Sequence, residues 1–419
     1  MGATKDALPQ RSHALDNLRS FLTGLVVIHH TAAAYGGAGM RPLFKSGLFA
    51  PDFVSLPLWL FDAFVQTFFM GLFFWISGRV SAQSLHRLDT QGQSRRRFVA
   101  KRAKRLLLPA IAYTIALNPL VHLFSLPEWD FVAVSQCLAE YFGSVKGIKG
   151  PVWYTATLFV FDTLAAAIRL EQPRKHKCVE FKRHYKFLAQ WGWVAIAVAS
   201  FIVRLWYPIG KTLSPLNIQL GYAPQYIFAY CMGHLSFKYG QPTFLGPFSS
   251  GHTDPSSKPP LLHVSIASVF VFYLAMLPKL LSGTEQWRKE IMQDVSGGWN
   301  MSAVVYAAWN EFSFVLVGPV LVEYFYRWHN EPAASWIWQP RYSYAAFLFH
   351  YGVSIPIEQM VDVILLPDRR EMPPWYRGSL FKALGPVALT MTVGAANTAA
   401  SFILGRLIVN SVTGAANVL

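Results

Sequence analysis

Charge is what this chain has least of. Asp, Glu, Lys and Arg make up only 14% of its 419 residues, against about 25% in a soluble domain. The deficit runs along the whole length, and the mean hydropathy is +0.30, which excludes a soluble protein carried by a single anchor. Acidic residues are the scarcer sign, with 22 Asp and Glu against 37 Lys and Arg and a net charge of +15. In a soluble protein that excess would suggest nucleic acid. Here most of it lies in two short loops, the mark of cytosolic segments in a membrane protein. No nucleic-acid partner is expected; topology and an anionic ligand share the explanation. Cysteine is also rare. Cys137, Cys178 and Cys231 share no short spacing, which excludes a CxxC redox pair and a zinc cluster, and they read as free thiols. A P-loop, an HExxH pair, a DDxxD-like carboxylate cluster and a haem motif are all missing. ATP-driven transport, zinc proteolysis and prenyl-diphosphate chemistry therefore drop out as leading readings. No metal and no permanently bound cofactor is expected.

What is present is apolar length. Ten stretches long enough to cross a bilayer run over about 16–36, 57–79, 106–125, 152–169, 189–207, 222–238, 261–281, 301–326, 342–366 and 380–408. The fold class expected is all-α, a polytopic membrane helix bundle of about ten transmembrane helices. Residues 1–419 read as one domain, with a polar tail over 1–15 and a Pro/Gly/Ser-rich cytosolic loop over 239–260. Asn118-Pro119 and Pro356 interrupt the third and ninth spans, where neighbouring groups must satisfy the freed carbonyls. Arg95, Arg96, Arg97, Lys101, Arg102, Lys104 and Arg105 precede span three, and a second basic run from Arg174 to Lys186 precedes span five. By the positive-inside rule both termini are cytosolic. The membrane is an endomembrane or the plasma membrane, and the first span is expected to stay as a signal anchor. Asn300-Met301-Ser302 is a glycosylation sequon on the expected outer side, at the edge of span eight.

Ionisable side chains within such spans are costly and usually functional. Arg19 and His30 are 11 residues apart on span one. At 100° per residue this is close to three turns, so they share a face about 16 Å apart along the axis, while His29 points away from that face. One reading is a functional pair; the other is packing against polar neighbours. Arg102 and Arg105 are three apart at the cytosolic mouth of span three, and read either as topology or as two guanidinium forks for a phosphate. Ser77-Gly78 closes span two and favours tight helix packing. Trp153-Tyr154 reads as an interfacial aromatic belt. Glu311, in mid-span, needs a histidine or arginine partner. His350 lies about half-way across span nine, as a structural or a catalytic histidine. Glu358 and Asp362 lie nearer the outer end, with access to solvent.

Taken in order, these motifs resemble the acyltransferase-3 family of multipass membrane acyltransferases, in particular its glucan-succinyltransferase-like branch. Leu18-Arg19 with His30-Thr31-Ala32-Ala33 is similar to the family's arginine, ten residues, histidine signature. Phe73-Phe74-Trp75-Ile76-Ser77-Gly78 resembles its FFxxSG, and Arg102 to Arg105 with Pro109 its RxxR element. Val152-Trp153-Tyr154 is similar to its LWF stretch. Gln225-Tyr226 with Gly233, Glu311, and Ser343-Tyr344 with Phe349-His350 resemble its later segments. Phe347 stands where the family usually has tyrosine. The resemblance implies about ten core spans and transfer of an acyl group from cytosolic acyl-CoA to a hydroxyl acceptor, a glycan or a small metabolite. It leaves transfer to the membrane domain itself, in contact with the lipid bilayer.

On that reading His30 is the general base for the acceptor hydroxyl, or the carrier of the acyl group. Glu311 or His350 orients it or balances its charge. Arg19 polarises the thioester carbonyl or holds a phosphate of the donor, and Arg102 and Arg105 hold its nucleotide end. The competing class is a transporter or flippase that uses intramembrane Arg, His and Glu as a relay. Its usual internal repeat is not visible.

Overall fold

A computed structural model describes residues 12–38, 44–49, 53–126, 130–168, 178–239, 287–366 and 379–411, with a few more between 263 and 271. Its helices are α1 (His13–Ala34), α2 (Leu56–Gln66), α3 (Phe69–Thr90), α4 (Arg95–Phe124), α5 (Phe131–Ser144), α6 (Trp153–Ile168), α7 (Cys178–Arg204), α8 (Ala223–Lys238), α9 (Trp287–Ser296), α10 (Met301–Trp328), α11 (Pro340–Leu365) and α12 (Ser379–Ser411). The all-α class holds. The one departure among the described residues is a two-stranded antiparallel hairpin between α7 and α8, pairing Thr212–Leu213 with Ile218–Gln219. Six helices among the described residues are long and apolar enough to cross a membrane. α1, α8 and α11 are helical over three further expected spans. The span expected over 261–281 and the loop over 239–260 lie outside the described residues, apart from a few positions.

α1 is the hub. Ser12 caps its N-terminus by accepting from the Leu15 amide. Leu18, Leu22, Val26 and Val27 are buried, as are Thr23, His29 and Thr31, so the buried positions run around the helix rather than along one stripe. That is the pattern of an interior helix, and α2, α3, α10, α11 and α12 all pack on it. α3 and α8 make the closest pairing. A Cβ on Gly78 would stand 2.2 Å from the Tyr230 carbonyl oxygen, and one on Gly233 would stand 2.2 Å from that of Trp75. Two glycines thus let two backbones meet, as the Ser77-Gly78 motif predicts.

α4 carries two π-helical turns, Ala103–Leu107 and Tyr113–Leu117, and each sits just before a proline. Leu108 N–H donates to the Ala103 carbonyl and Asn118 N–H to that of Tyr113, five residues back. Pro109 and Pro119 have no N–H to continue the ladder, so nearby carbonyls are left over. Tyrosines from other helices satisfy one in each turn. Tyr344 Oη donates to Arg105 O at 3.0 Å, and Tyr141 Oη to Thr114 O at 2.6 Å. The expected interruption at Asn118-Pro119 is therefore a repaired break rather than a gap.

The sequon asparagine is already occupied. Asn300 caps α10 by accepting from Ala303 N at 2.8 Å, and its amide nitrogen donates to Gly297 O at 3.1 Å. Cys137 and Cys231 are free, as expected.

Leucine in place of Gly78 or Gly233 forces α3 and α8 apart. Overpacking of this kind costs about 1–3 kcal/mol or more. Gly78→Leu and Gly233→Leu should each lower the unfolding temperature of the purified protein in detergent, while Gly143→Leu, where an added side chain meets open space, should not.

Candidate functional site

Two groups of ionisable side chains lie at different depths of the bundle, and α1 contributes to both. The first group is at the end that carries the basic runs. Arg105 lies near enough to Arg102 and Arg19 to feel the charges of both, so the three guanidiniums share one region of the bundle. They are not equivalent. Arg102 Nε lies 2.9 Å from Asp162 Oδ2, a carboxylate whose side chain is 1% exposed. Asp162 also accepts from Tyr230 Oη at 2.7 Å and from Ser81. The Arg102 guanidinium lies over the Phe98 ring at 5.1 Å. One edge of Arg102 is therefore committed to the protein, and it is less than the open fork the sequence suggested. Among the described residues Arg19 makes a loose 3.6 Å contact with Asp16 and keeps a 31% exposed side chain. Among the described residues no carboxylate pairs with Arg105. Other members of the basic run are structural, such as Arg95, which pairs with Asp89 and donates to Ala166 O.

The second group surrounds His30 near the far end of α1. The His30 ring stacks on His350 with centroids 5.2 Å apart, and packs on Tyr351 at 4.8 Å. Tyr351 Oη is 3.0 Å from His30 Nδ1. His350 is sealed in: its Nδ1 lies 2.6 Å from Phe347 O and its Nε2 is buried. It is fully buried and meets His30 by ring stacking. Two imidazolium rings this close would repel by about 3 kcal/mol at an effective dielectric of 20, so the stack holds at most one proton comfortably.

Beside His30 lies a cavity of about 530 Å³. His29, His30, Asp62 and Phe347 line it together with the rings of Trp59, Trp153, Tyr222, Tyr226 and Tyr306. Its rim includes Lys149, Gly150 and the hairpin residues Thr212 and Gln219, all on connections at the end opposite the basic runs. Aromatic rings fill the space between this cavity and the arginines. Tyr154 feels Arg19 and Arg102, donates to Phe73 O at 3.2 Å, and lies 2.7 Å from Ser77 Oγ. Its ring packs on Phe347, which in turn packs on His350.

Several expectations need correction. Trp153 and Tyr154 are not an interfacial belt: Tyr154 is buried and Trp153 stacks on Tyr226 at 5.6 Å. Glu311 makes no contact with His30 or His350 among the described residues. It accepts from Ser200 Oγ at 2.8 Å, Asn310 Nδ2 at 3.0 Å and Gln225 Nε2 at 3.0 Å. The arginine it needed is Arg204, fully buried between Tyr222 and Tyr306 and near enough to balance its charge. This network backs the cavity wall. Glu358 does not face solvent either: it is 3% exposed and accepts from Asn397 Nδ2 at 3.0 Å. Asp362 holds the loop after α1 by accepting from Ser46 Oγ and Gly47 N, each at 2.7 Å. Sequence reasoning missed Asp62 and undervalued His29, whose Nδ1 is 3.0 Å from Asp62 Oδ1. The signal was there, since a lone aspartate in Leu-Trp-Leu-Phe-Asp-Ala-Phe-Val must find a partner.

A family model described as an acyltransferase domain, that of the acyltransferase-3 family, matches residues 12–406, nearly the whole chain. The chain belongs to this family of membrane acyltransferases. No curated protein and no solved structure matches it.

The Arg102–Asp162 pair predicts an asymmetry. Removing one partner of a buried pair leaves the other uncompensated, at about 3–5 kcal/mol. Arg102→Leu should lower the unfolding temperature sharply, and Arg102→Leu with Asp162→Asn should recover much of the loss. A double variant no more stable than Arg102→Leu alone would show that the pair is not what holds α4 against α6.

Proposed function

We propose that this protein moves an acyl group from acyl-CoA, bound at the arginine end, to a hydroxyl of a glycan or small metabolite held in the far cavity. The observation that carries the reading is the position of His30, which lines the cavity and from which ring contacts run through His350, Phe347 and Tyr154 towards the charges of Arg19 and Arg102. An acyl-CoA is phosphorylated at one end and reactive at the other, joined by a long thin arm. Arg19 and Arg105, with the unused edge of Arg102, suit the phosphates. The arm would pass the Phe73, Tyr154 and Phe347 rings to bring the thioester to His30. With the basic end cytosolic by the positive-inside rule, donor and acceptor approach from opposite faces of the membrane.

At the junction His30 has two roles open to it, taking the acceptor proton or carrying the acyl group between donor and acceptor. Tyr351 and His350 fix its ring for either. Amide and aromatic side chains in the cavity, among them Gln66, Asn118 and Trp153, suit an acceptor that is apolar on one face and hydroxylated on another. Glu311 supports that cavity through Gln225 and Arg204 rather than touching the reacting atoms. A relay in a transporter would want the ionisables in one continuous file, whereas these are divided into separately partnered sets.

His30→Ala should abolish release of free thiol from acetyl-CoA by the purified protein in detergent, with insertion and unfolding temperature unchanged. Wild-type turnover by that variant would overturn the assignment. Arg105→Ala should raise the KM for acetyl-CoA with little change in kcat, because Arg105 is not tied to a buried carboxylate. A KM equal to wild type would remove the phosphate role.

A further inference from the structure

His29 and Asp62 line the cavity beside His30, and the acyl-transfer reading leaves them without a task. Their arrangement is built. The Asp62 side chain is fully shielded from solvent, and its Oδ1 is 3.0 Å from His29 Nδ1. The chain leaving α1 closes over it: Ala38 lies close to the carboxylate, and a Cβ on Gly37 would stand 2.1 Å from Asp62 Oδ2. Gly37 is itself held by a 2.8 Å bond from its amide to Ala32 O. The Phe69 ring packs on the imidazole at 5.3 Å and the His30 ring meets it edge-on at 5.4 Å. Nδ1 of His29 is sealed from solvent while 9% of the side chain is exposed, and His29 lines the cavity. A carboxylate on one imidazole nitrogen with the other nitrogen open to a cavity is the arrangement of an oriented base.

We propose that His29, oriented by Asp62, is the base that takes the proton of the acceptor hydroxyl, which leaves His30 to handle the acyl group. This rests on the acyl-transfer reading above. The acceptor oxygen bonds to the acyl carbonyl carbon while the bond from that carbon to its carrier breaks. The carrier is the thioester sulfur or a His30 nitrogen, and it leaves with the bonding electron pair. The hydroxyl proton passes to His29 Nε2, the imidazolium is balanced by Asp62, and the proton then goes to water in the cavity. A departing thiolate takes a proton from solvent at the arginine end. His29 is the catalytic residue in this step, and Asp62 is a positioning residue that acts through it.

The nucleophile itself supplies the test. Water must lose a proton as it attacks a carbonyl, whereas neutral hydroxylamine attacks without prior deprotonation. Purified full-length protein is given acetyl-CoA with water alone, and with hydroxylamine, and thiol release is measured above the His30→Ala background. Asp62→Asn should lose about 100-fold in the water reaction, the usual scale of general-base help, while its hydroxylamine reaction stays close to wild type. His29→Asn keeps an amide to face Asp62 but has no base, and should show the same split. Equal losses with both nucleophiles, or no loss with either, would overturn the proposal, since a merely structural pair cannot distinguish them. Wild-type protein inert towards both would overturn the acyl-transfer reading instead, so the two failures are separable.

Discussion

A charge placed in hydrocarbon must find its counterpart inside the protein, and the organisation of this bundle follows from how that demand is met. Each buried carboxylate among those described here has a set of partners of its own. Asp162 is held by Arg102, Tyr230 and Ser81. Glu311 is held by Ser200, Asn310 and Gln225, with Arg204 nearby. Glu358 has Asn397, and Asp62 has His29. Because these sets tie different helices together, removing a member disturbs a helix contact as well as a charge. Among the described residues Arg19, Arg105 and His30 stand outside these carboxylate sets, whereas Arg102 and His29 belong to one each.

Much of this could be read from the sequence, and the part that could not has a clear cause. Helical register placed Arg19 and His30 on one face, because periodicity is local and needs no partner to be known. Register also turned His29 away, correctly, yet it could not say what lay in that direction. The answer, Asp62, is on another helix, and only packing brings the two together. The same limit explains Trp153 and Tyr154. An aromatic pair next to Gly150-Pro151 has the composition of an interfacial belt, and only the position of α3 and α8 shows that the pair faces inward. For Glu311, chemistry forecast an arginine or histidine partner but could not choose Arg204 over His30. Glu358 was misplaced because distance along a helix says nothing about what covers it.

Assigning the chain to a family of membrane acyltransferases rests on a match along nearly its full length. The geometry adds an arrangement that a motif cannot express. Polar chemistry is held at two levels, with rings between them. The aromatic layer of Phe73, Tyr154 and Phe347 separates a region rich in positive charge from a cavity open to the other end. In Phe347 the layer has a ring without a hydroxyl, which leaves the contact with His350 apolar on that side.

The two π-turns of α4 have a meaning for how this sequence can change over time. Each inserts one residue beyond the regular ladder, and one residue is 100° of rotation on a helix. Arg102, before the first turn, faces Asp162, while Asn118, after the second, faces the cavity. Substitutions between them alter side chains one at a time. A single-residue deletion outside the turns would swing everything beyond it by about 100° and move Asn118 off the wall, whereas one within a turn would return that turn to the regular ladder and leave the register beyond it in place. The two turns are therefore the places where this helix can lose a residue without turning its two functional faces against each other.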